Sequence, residues 1–377
     1  MRRVGFTKHE RRGFTLVLMT FMITVLIGAA ALAVDAGQMY RYRAQIHAGA
    51  DAAALAGVFQ MTAIDSSHTV DTTVSYAGRH LVGTSAVSLA SSDVIPGTWT
   101  PAGGFVADAT NAFGNGDNAV KVTTRYTANY TFARIFGFNT KALTATSVAY
   151  QGFASGSTCT RPWAVPYQLL LNALYPNPPL KDATTYNLTT TDVANLSAMT
   201  TSNNVSLKIG DNTSGIVNGN FYGVELPPIV YADGTLGTPW SGGNNYRTAE
   251  GETCAALAAQ MGSNPYVSVG DWLAPENGNM QGPTQQGFQD LCGLNGNNYV
   301  CANPVRVVVA LWDTYGNAPG ASSGCGGKCF HVKYLGVFYV TQYNTSTNAV
   351  VGYFQTMANS GSLSTTPSPI KMFALVQ

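Results

Sequence analysis

Gly13-Phe-Thr-Leu-Val-Leu-Met-Thr-Phe-Met-Ile-Thr-Val-Leu-Ile-Gly-Ala-Ala-Ala-Leu-Ala-Val34 carries no charge, and Arg2, Arg3, Lys8, Arg11 and Arg12 stand just before it. As a helix this run rises roughly 33 Å, which matches the hydrocarbon core of a bilayer. With the cations on one side only, the positive-inside rule holds residues 1–12 in the cytoplasm and places the body beyond Asp35 outside the inner membrane. The run does not stop at the membrane. Met39, Tyr42, Ile46, Gly49, Ala53 and Gly57 recur every three or four residues, which predicts one helix continuing to Phe59.

Two other readings compete for the same run. A cleaved secretory signal would have an apolar core of about 7–15 residues. Ala31-Leu32-Ala33 offers a cleavage motif, but the run is longer than that and flows into more helix. Separately, Arg12-Gly13-Phe14-Thr15-Leu16 resembles a type IV prepilin processing site, with cleavage between Gly13 and Phe14. Leu18 stands where those pilins carry an acid, so processing stays open.

Beyond Val34, 15 basic residues face 18 acidic ones, a net charge of −3. Such a sparsely charged, mildly acidic body does not suit nucleic acid. Its glycine, asparagine, threonine and serine suit exported β-rich domains with many turns. All six cysteines, Cys159, Cys254, Cys292, Cys301, Cys325 and Cys329, fall on the oxidising side of this topology, which favours disulfides. Proximity suggests Cys292–Cys301 and Cys325–Cys329, leaving Cys159–Cys254. Metal binding is the rival, but no pair has C-x-x-C spacing.

The fold class expected is α+β. A transmembrane helix (13–34) leads into an exported helical stalk (35–60), then a small pilin-like helix and antiparallel sheet (61–152), then a mostly β domain (153–377). In the small subdomain we expect a helix at Thr69–Leu81 and strands at Ala86–Val94, Ala119–Tyr126 and Leu143–Tyr150. In the β domain we expect strands at Val305–Tyr315, His331–Tyr343, Ala349–Met357 and Ile370–Val376. Pro275–Thr284 reads as a loop capping a helix from Gln285 to Cys292, with Thr284 as N-cap.

Ala33-Val34-Asp35-Ala36-Gly37, Gln45-Ile46 and Ala50-Asp51-Ala52-Ala53-Ala54-Leu55-Ala56-Gly57 resemble the N-terminal signature of TadE/TadG-like Flp pilus-assembly proteins. In that family an apolar helix runs into a "VD-x-G" step and an "aDaaALAg" segment. Gly270-Asp271-Trp272 and Glu276–Thr284 resemble exported parts of TadG-like proteins. The resemblance implies a role in building or anchoring a bacterial tight-adherence pilus, with the inner membrane and other Tad/Flp proteins or pilins as partners. Asp65-Ser66-Ser67-His68-Thr69 is the nearest match to a von Willebrand A metal motif and reads as a helix-capping turn.

Catalytic patterns fail for physical reasons. Gly320-Ala321-Ser322-Ser323-Gly324 has nucleophile-elbow spacing but lies between an Asn-Ala-Pro-Gly loop and Cys325–Cys329, not between a strand and a helix. Gly114–Ala119 has dinucleotide-like spacing but leads into a strand, so no helix N-terminus can hold a phosphate. Glu250 and Glu252 read as a solvated pair. We expect no enzyme activity, cofactor or metal. The residues singled out for helix packing or an assembly contact are Asp35, Gly37, Gly49, Asp51, Ala53 and Gly57, with a helix-mediated oligomer as one outcome. Asp35 could be a plain boundary residue, and Asp51 could form a weak pair with His47. The alternative function is a membrane-tethered adhesive module whose β-rich domain contacts a surface or glycan.

Overall fold

The computed structural model describes residues 8–64, 66–114, 116–210, 220–239, 266–276, 280–320, 328–358, 363–364 and 366–376. It divides into two compact units, one of residues 1–151 with 374–377, the other of residues 152–373.

In the N-terminal unit, helix α1 (Lys8–Phe59) runs for 52 residues and ends in a π-turn, Gln60–Ile64. A 3-10 turn, Ser66–His68, leads into α2 (Thr69–Gly78). After a short hairpin of Leu81–Val82 with Ser85–Ala86 come four longer strands: β1 (Val94–Thr100), β2 (Gly104–Ala107), β3 (Ala119–Asn129) and β4 (Thr140–Ala154). They pair antiparallel in the order β4-β3-β1-β2. Along β3, Val120, Val122, Thr124 and Ala128 are buried at alternate positions, as a half-buried strand requires.

The closed part of the C-terminal unit is a six-stranded barrel. Its strands are β5 (Thr160–Pro166), β6 (Val205–Ile209), β7 (Asn220–Gly223), β8 (Asn298–Gly316), β9 (Cys329–Asn344) and β10 (Ala349–Gln355). The ring runs β9-β10-β6-β7-β5-β8 and closes by the β8–β9 pairing. Closure leaves those strands without open edges. On β8, Val307, Val309 and Leu311 enter one apolar cluster and Val308, Ala310 and Trp312 another. A strand buried on both faces reads as a continuous apolar run, which explains Val307–Trp312.

Short helices α3 (Tyr167–Leu174), α4 (Thr190–Ser197) and α5 (Gln281–Leu291) complete this unit. Phe288 of α5 is fully buried, its ring 5.2 Å from Tyr343 and 6.2 Å from Trp163. Cys292, just past α5, is disulfide-bonded to Cys301 on β8. Cys159 and Cys329 are each in a disulfide whose partner lies outside the described residues, as Cys254 and Cys325 do.

Several expectations need correction. Ala86–Val94 is not a strand: only Ser85–Ala86 and the first residue of β1 are extended in a ladder, with a 3-10 turn at Ser91–Asp93 between them. The sequence reading also missed most of β1 and all of β2. Thr284 is not the N-cap of α5. The helix starts at Gln281, and Thr284 lies inside it, buried, donating its hydroxyl to the Met280 carbonyl at 2.6 Å. Pro283 falls in the first turn, where no intrahelical N–H is needed. The Gly320–Gly324 motif from Ala321 onward, and Glu250 and Glu252, lie outside the described residues.

Candidate functional site: the seat of α1 and its acidic clamp

Helix α1 has two halves with opposite surroundings. Leu16, Phe21, Val25, Leu26 and Ile27 are exposed, while Ile46, Ala50, Ala53 and Ala54 are fully buried in their own unit. The exposed half is a continuous apolar surface, long and apolar enough to cross a membrane.

The buried half owes its seat to small residues. A Cβ on Gly57 would meet the Thr73 hydroxyl at 2.4 Å and a Val120 methyl at 3.3 Å; one on Gly49 would meet Val87 at 2.9 Å. Gly57 therefore lets α1 approach α2 and β3, and Gly49 lets it approach Val87, more closely than a side chain would allow. At Gly37 nothing lies within 4 Å, so that position is open. Thr124 donates its hydroxyl to the Ile46 carbonyl, and Gln45 accepts from the Gly83 N–H at 3.0 Å.

Asp35 closes the seat at its other end. Only 2% exposed, it accepts backbone N–H bonds from Thr131 (2.8 Å), Phe132 (2.9 Å) and Ala133 (2.6 Å) at the β3–β4 turn. Burial acts to raise its pKa, but the N–H groups of Ala133, Thr131 and Phe132 outweigh that and hold it below the ordinary carboxylate value. It is thus a clamp and not a boundary residue facing water. Asp51 is half-buried and His47 exposed, and no hydrogen bond or ion pair joins them.

The α1 side of this geometry lies inside the segment that the comparisons with known proteins cover. Residues 13–62 match the putative Flp pilus-assembly TadE/G-like family. No curated protein and no solved structure matches the chain. The TadE/G-like segment is α1 from Gly13 onward with the first residues of the π-turn, and Asp35, Gly49, Ala53 and Gly57 within it all belong to the seat. They pack within this chain. Of the six residues singled out from sequence, Gly37 alone combines an exposed position with open space.

The C-terminal unit holds a cavity of about 360 Å³ lined by Asp313, His331, Lys333, Asn187, Thr366 and Ser368 among others. His331 Nδ1 lies 2.7 Å from Asp313, and Lys333 Nζ donates to the Ala183 carbonyl at 2.8 Å. Among the described residues no serine, threonine or cysteine side chain bonds His331, so this acid–base pair has no nucleophile attached. The Gly270-Asp271-Trp272 motif lies beside it: Gly270 is left-handed (φ +95°), Asp271 accepts from Ser268 and Ala232 N–H groups, and the Trp272 ring is 5.0 Å from His331. Sequence reading missed this cluster. Its one signal was His331 and Lys333, two apart on a strand and so facing the same way.

Two acids, buried Asp271 and half-buried Glu225, give this unit a pH dependence. Burial first, then the Glu276 charge, pushes Glu225 up to about 7. Burial also pushes Asp271 up to about 6, against the Ser268 and Ala232 hydrogen bonds. Both hold a proton more tightly folded than unfolded. The stability they contribute is therefore complete below about pH 4 and is lost as pH rises through 6 and 7. The unit should be more stable at pH 5 than at pH 8 by about 1–2 kcal/mol, a figure reduced for the partial exposure of Glu225. Melting curves at the two pH values check this, and Glu225→Gln should shrink the difference. A midpoint that climbs across this window would contradict it.

Proposed function

We propose that this chain is a membrane-anchored, exported component of a Flp/Tad pilus system, acting in assembly or anchoring through helix packing and protein contacts, without catalysis. The observation that carries the reading is the division of α1: a TadE/G-like helix whose outer half is seated on its own unit while its apolar half is uncovered. The basic tip directs the N-terminus to the cytoplasm and both units outward. A long helix on an antiparallel sheet supports the analogy with pilins and pseudopilins. Because Leu18 replaces the acid of prepilin sites, the protein is expected to keep its N-terminus and not to be cut between Gly13 and Phe14, and Cys325–Cys329 and Cys159–Cys254 are the pairings proposed for the remaining cysteines.

Gly37→Leu tests this reading without disturbing the seat, because the side chain enters open space. If partner helices pack on that face, sheared pili should fall at least about threefold while the protein stays folded in the membrane. Alkaline phosphatase fused after Tyr150 should be active. Normal piliation in both Gly37→Leu and a complete deletion would exclude an assembly role. Loss of surface attachment with normal piliation, on removing residues 159–377, would instead favour the adhesive module.

A further inference from the structure

We propose that the β3–β4 hairpin tip, Tyr130–Asn139, is a second membrane contact that dips its apolar side chains into the leaflet from which α1 emerges. The proposal rests on reading α1 as the membrane span.

Direction comes from the hydrogen bonds between α1 and the sheet. Thr124 lies at Ile46 and Thr131 at Asp35, so β3 runs back along α1 toward the apolar half. Seven extended residues advance about 23 Å, whereas the eleven helical residues from Ile46 to Asp35 advance about 16 Å. The strand therefore reaches the depth of Asp35, the first charge after the uncharged run, and the turn lies at its membrane end. Three N–H bonds to one carboxylate hold it there.

The composition of the tip fits that position. Within Phe132-Ala-Arg-Ile-Phe-Gly-Phe138, Ile135 is 82% exposed, Phe136 67% and Phe138 64%. Such exposure in water is costly for a seven-residue turn, and an adjoining lipid surface removes it. Seven of the tip's N–H groups are already paired: Tyr130 N–H bonds Asn139, Ile135 bonds Phe132, Gly137 bonds Arg134, Phe138 bonds Ala133, and those of Thr131, Phe132 and Ala133 bond Asp35. Each N–H group already paired lowers the penalty for entering a medium of low polarity. Gly137 takes the left-handed conformation (φ +86°) that closes it. Arg134 and Lys141, both exposed, can meet lipid phosphates, and Tyr40 and Tyr130 suit the interfacial aromatic belt. A groove of about 540 Å³ beside Leu32, Met39 and Phe138 continues the apolar surface from helix to tip.

The test uses the full chain in vesicles of phosphatidylethanolamine and phosphatidylglycerol, with an environment-sensitive fluorophore on Val25→Cys, Ile135→Cys or Leu81→Cys. Leu81 is exposed and neighbours the Gln45 level of α1, well past Asp35. Quenching of Val25 and Ile135 but not Leu81 is expected. For Ile135, nitroxides held about 5–10 Å below the headgroups should remove roughly half of the emission. Quenching of Val25 with Ile135 left in water would overturn the tip contact and leave the span intact. No quenching at Val25 would overturn the span itself, and the tip contact with it.

Discussion

Asp35→Ala should free the hairpin tip from α1 while leaving the chain in the membrane. The carboxylate answers the N–H groups of Thr131, Phe132 and Ala133, and alanine leaves all three without that acceptor in a site where Ala133 is buried. Buried donors without partners make local opening easy. Amide exchange across Tyr130–Phe138 should accelerate by about tenfold or more, while barrel strands such as Cys329–Asn344 keep their protection. Asp35→Asn keeps the shape but offers one acceptor oxygen in place of two, so its exchange should fall between. Unchanged tip exchange in the alanine variant would show that the clamp is not what holds the turn. Because the folded carboxylate titrates below the ordinary range, its contribution persists at neutral pH and is lost only as pH falls through that lowered value.

Gly57→Leu should unseat α2 from α1. The first added carbon already meets the Thr73 hydroxyl at 2.4 Å, and Thr73 is tied to the Thr69 carbonyl at 2.6 Å, so it has no easy retreat. Overpacking of this kind costs about 2–3 kcal/mol, a large share of the stability of a small unit. Limited proteolysis of the detergent-solubilised protein should cut within residues 60–151 at lower protease concentration, with the barrel resistant as before. Gly37→Leu is the matched control, since an open surface position should change stability by less than about 0.5 kcal/mol. Equal protease resistance of the two variants would mean that the close approach at Gly57 carries no weight. The contrast also matters for function: a leucine at Gly49 or Gly57 disrupts this chain's own packing before it can report on a partner.

Much of the architecture was legible because it depends on local pattern. An uncharged run with cations on one side, followed by small residues at helical spacing, specifies one long helix, and it extends to Phe59. Runs rich in valine and aromatics specify β8, β9 and β10 because such side chains suit a pleated surface buried on either face. Misreadings arose where the signal was ambiguous over a few residues. Thr284 has the chemistry of an N-cap, yet Pro283 is equally at home in a first turn, and α5 begins at Gln281 with Thr284 buried inside it. Ala86–Val94 alternates like a strand but finds no neighbour to pair with along most of its length.

The sequence by itself determined the apolar half of α1, the family segment that contains it and the β-rich character of the rest, because helix period, charge and β propensity are properties of neighbouring residues. Tertiary structure alone decided what the small residues and Asp35 are for. Gly49 and Gly57 read equally well as a surface for another helix; only the positions of Val87, Thr73 and Val120 show that their space is taken. Asp35 bonds a turn 96 residues further on, and Asp313 meets His331 only because β8 and β9 close a barrel in one register. Contacts between residues so distant in the chain leave no periodic trace in it, since they depend on how whole elements pack and not on the preferences of the residues beside them.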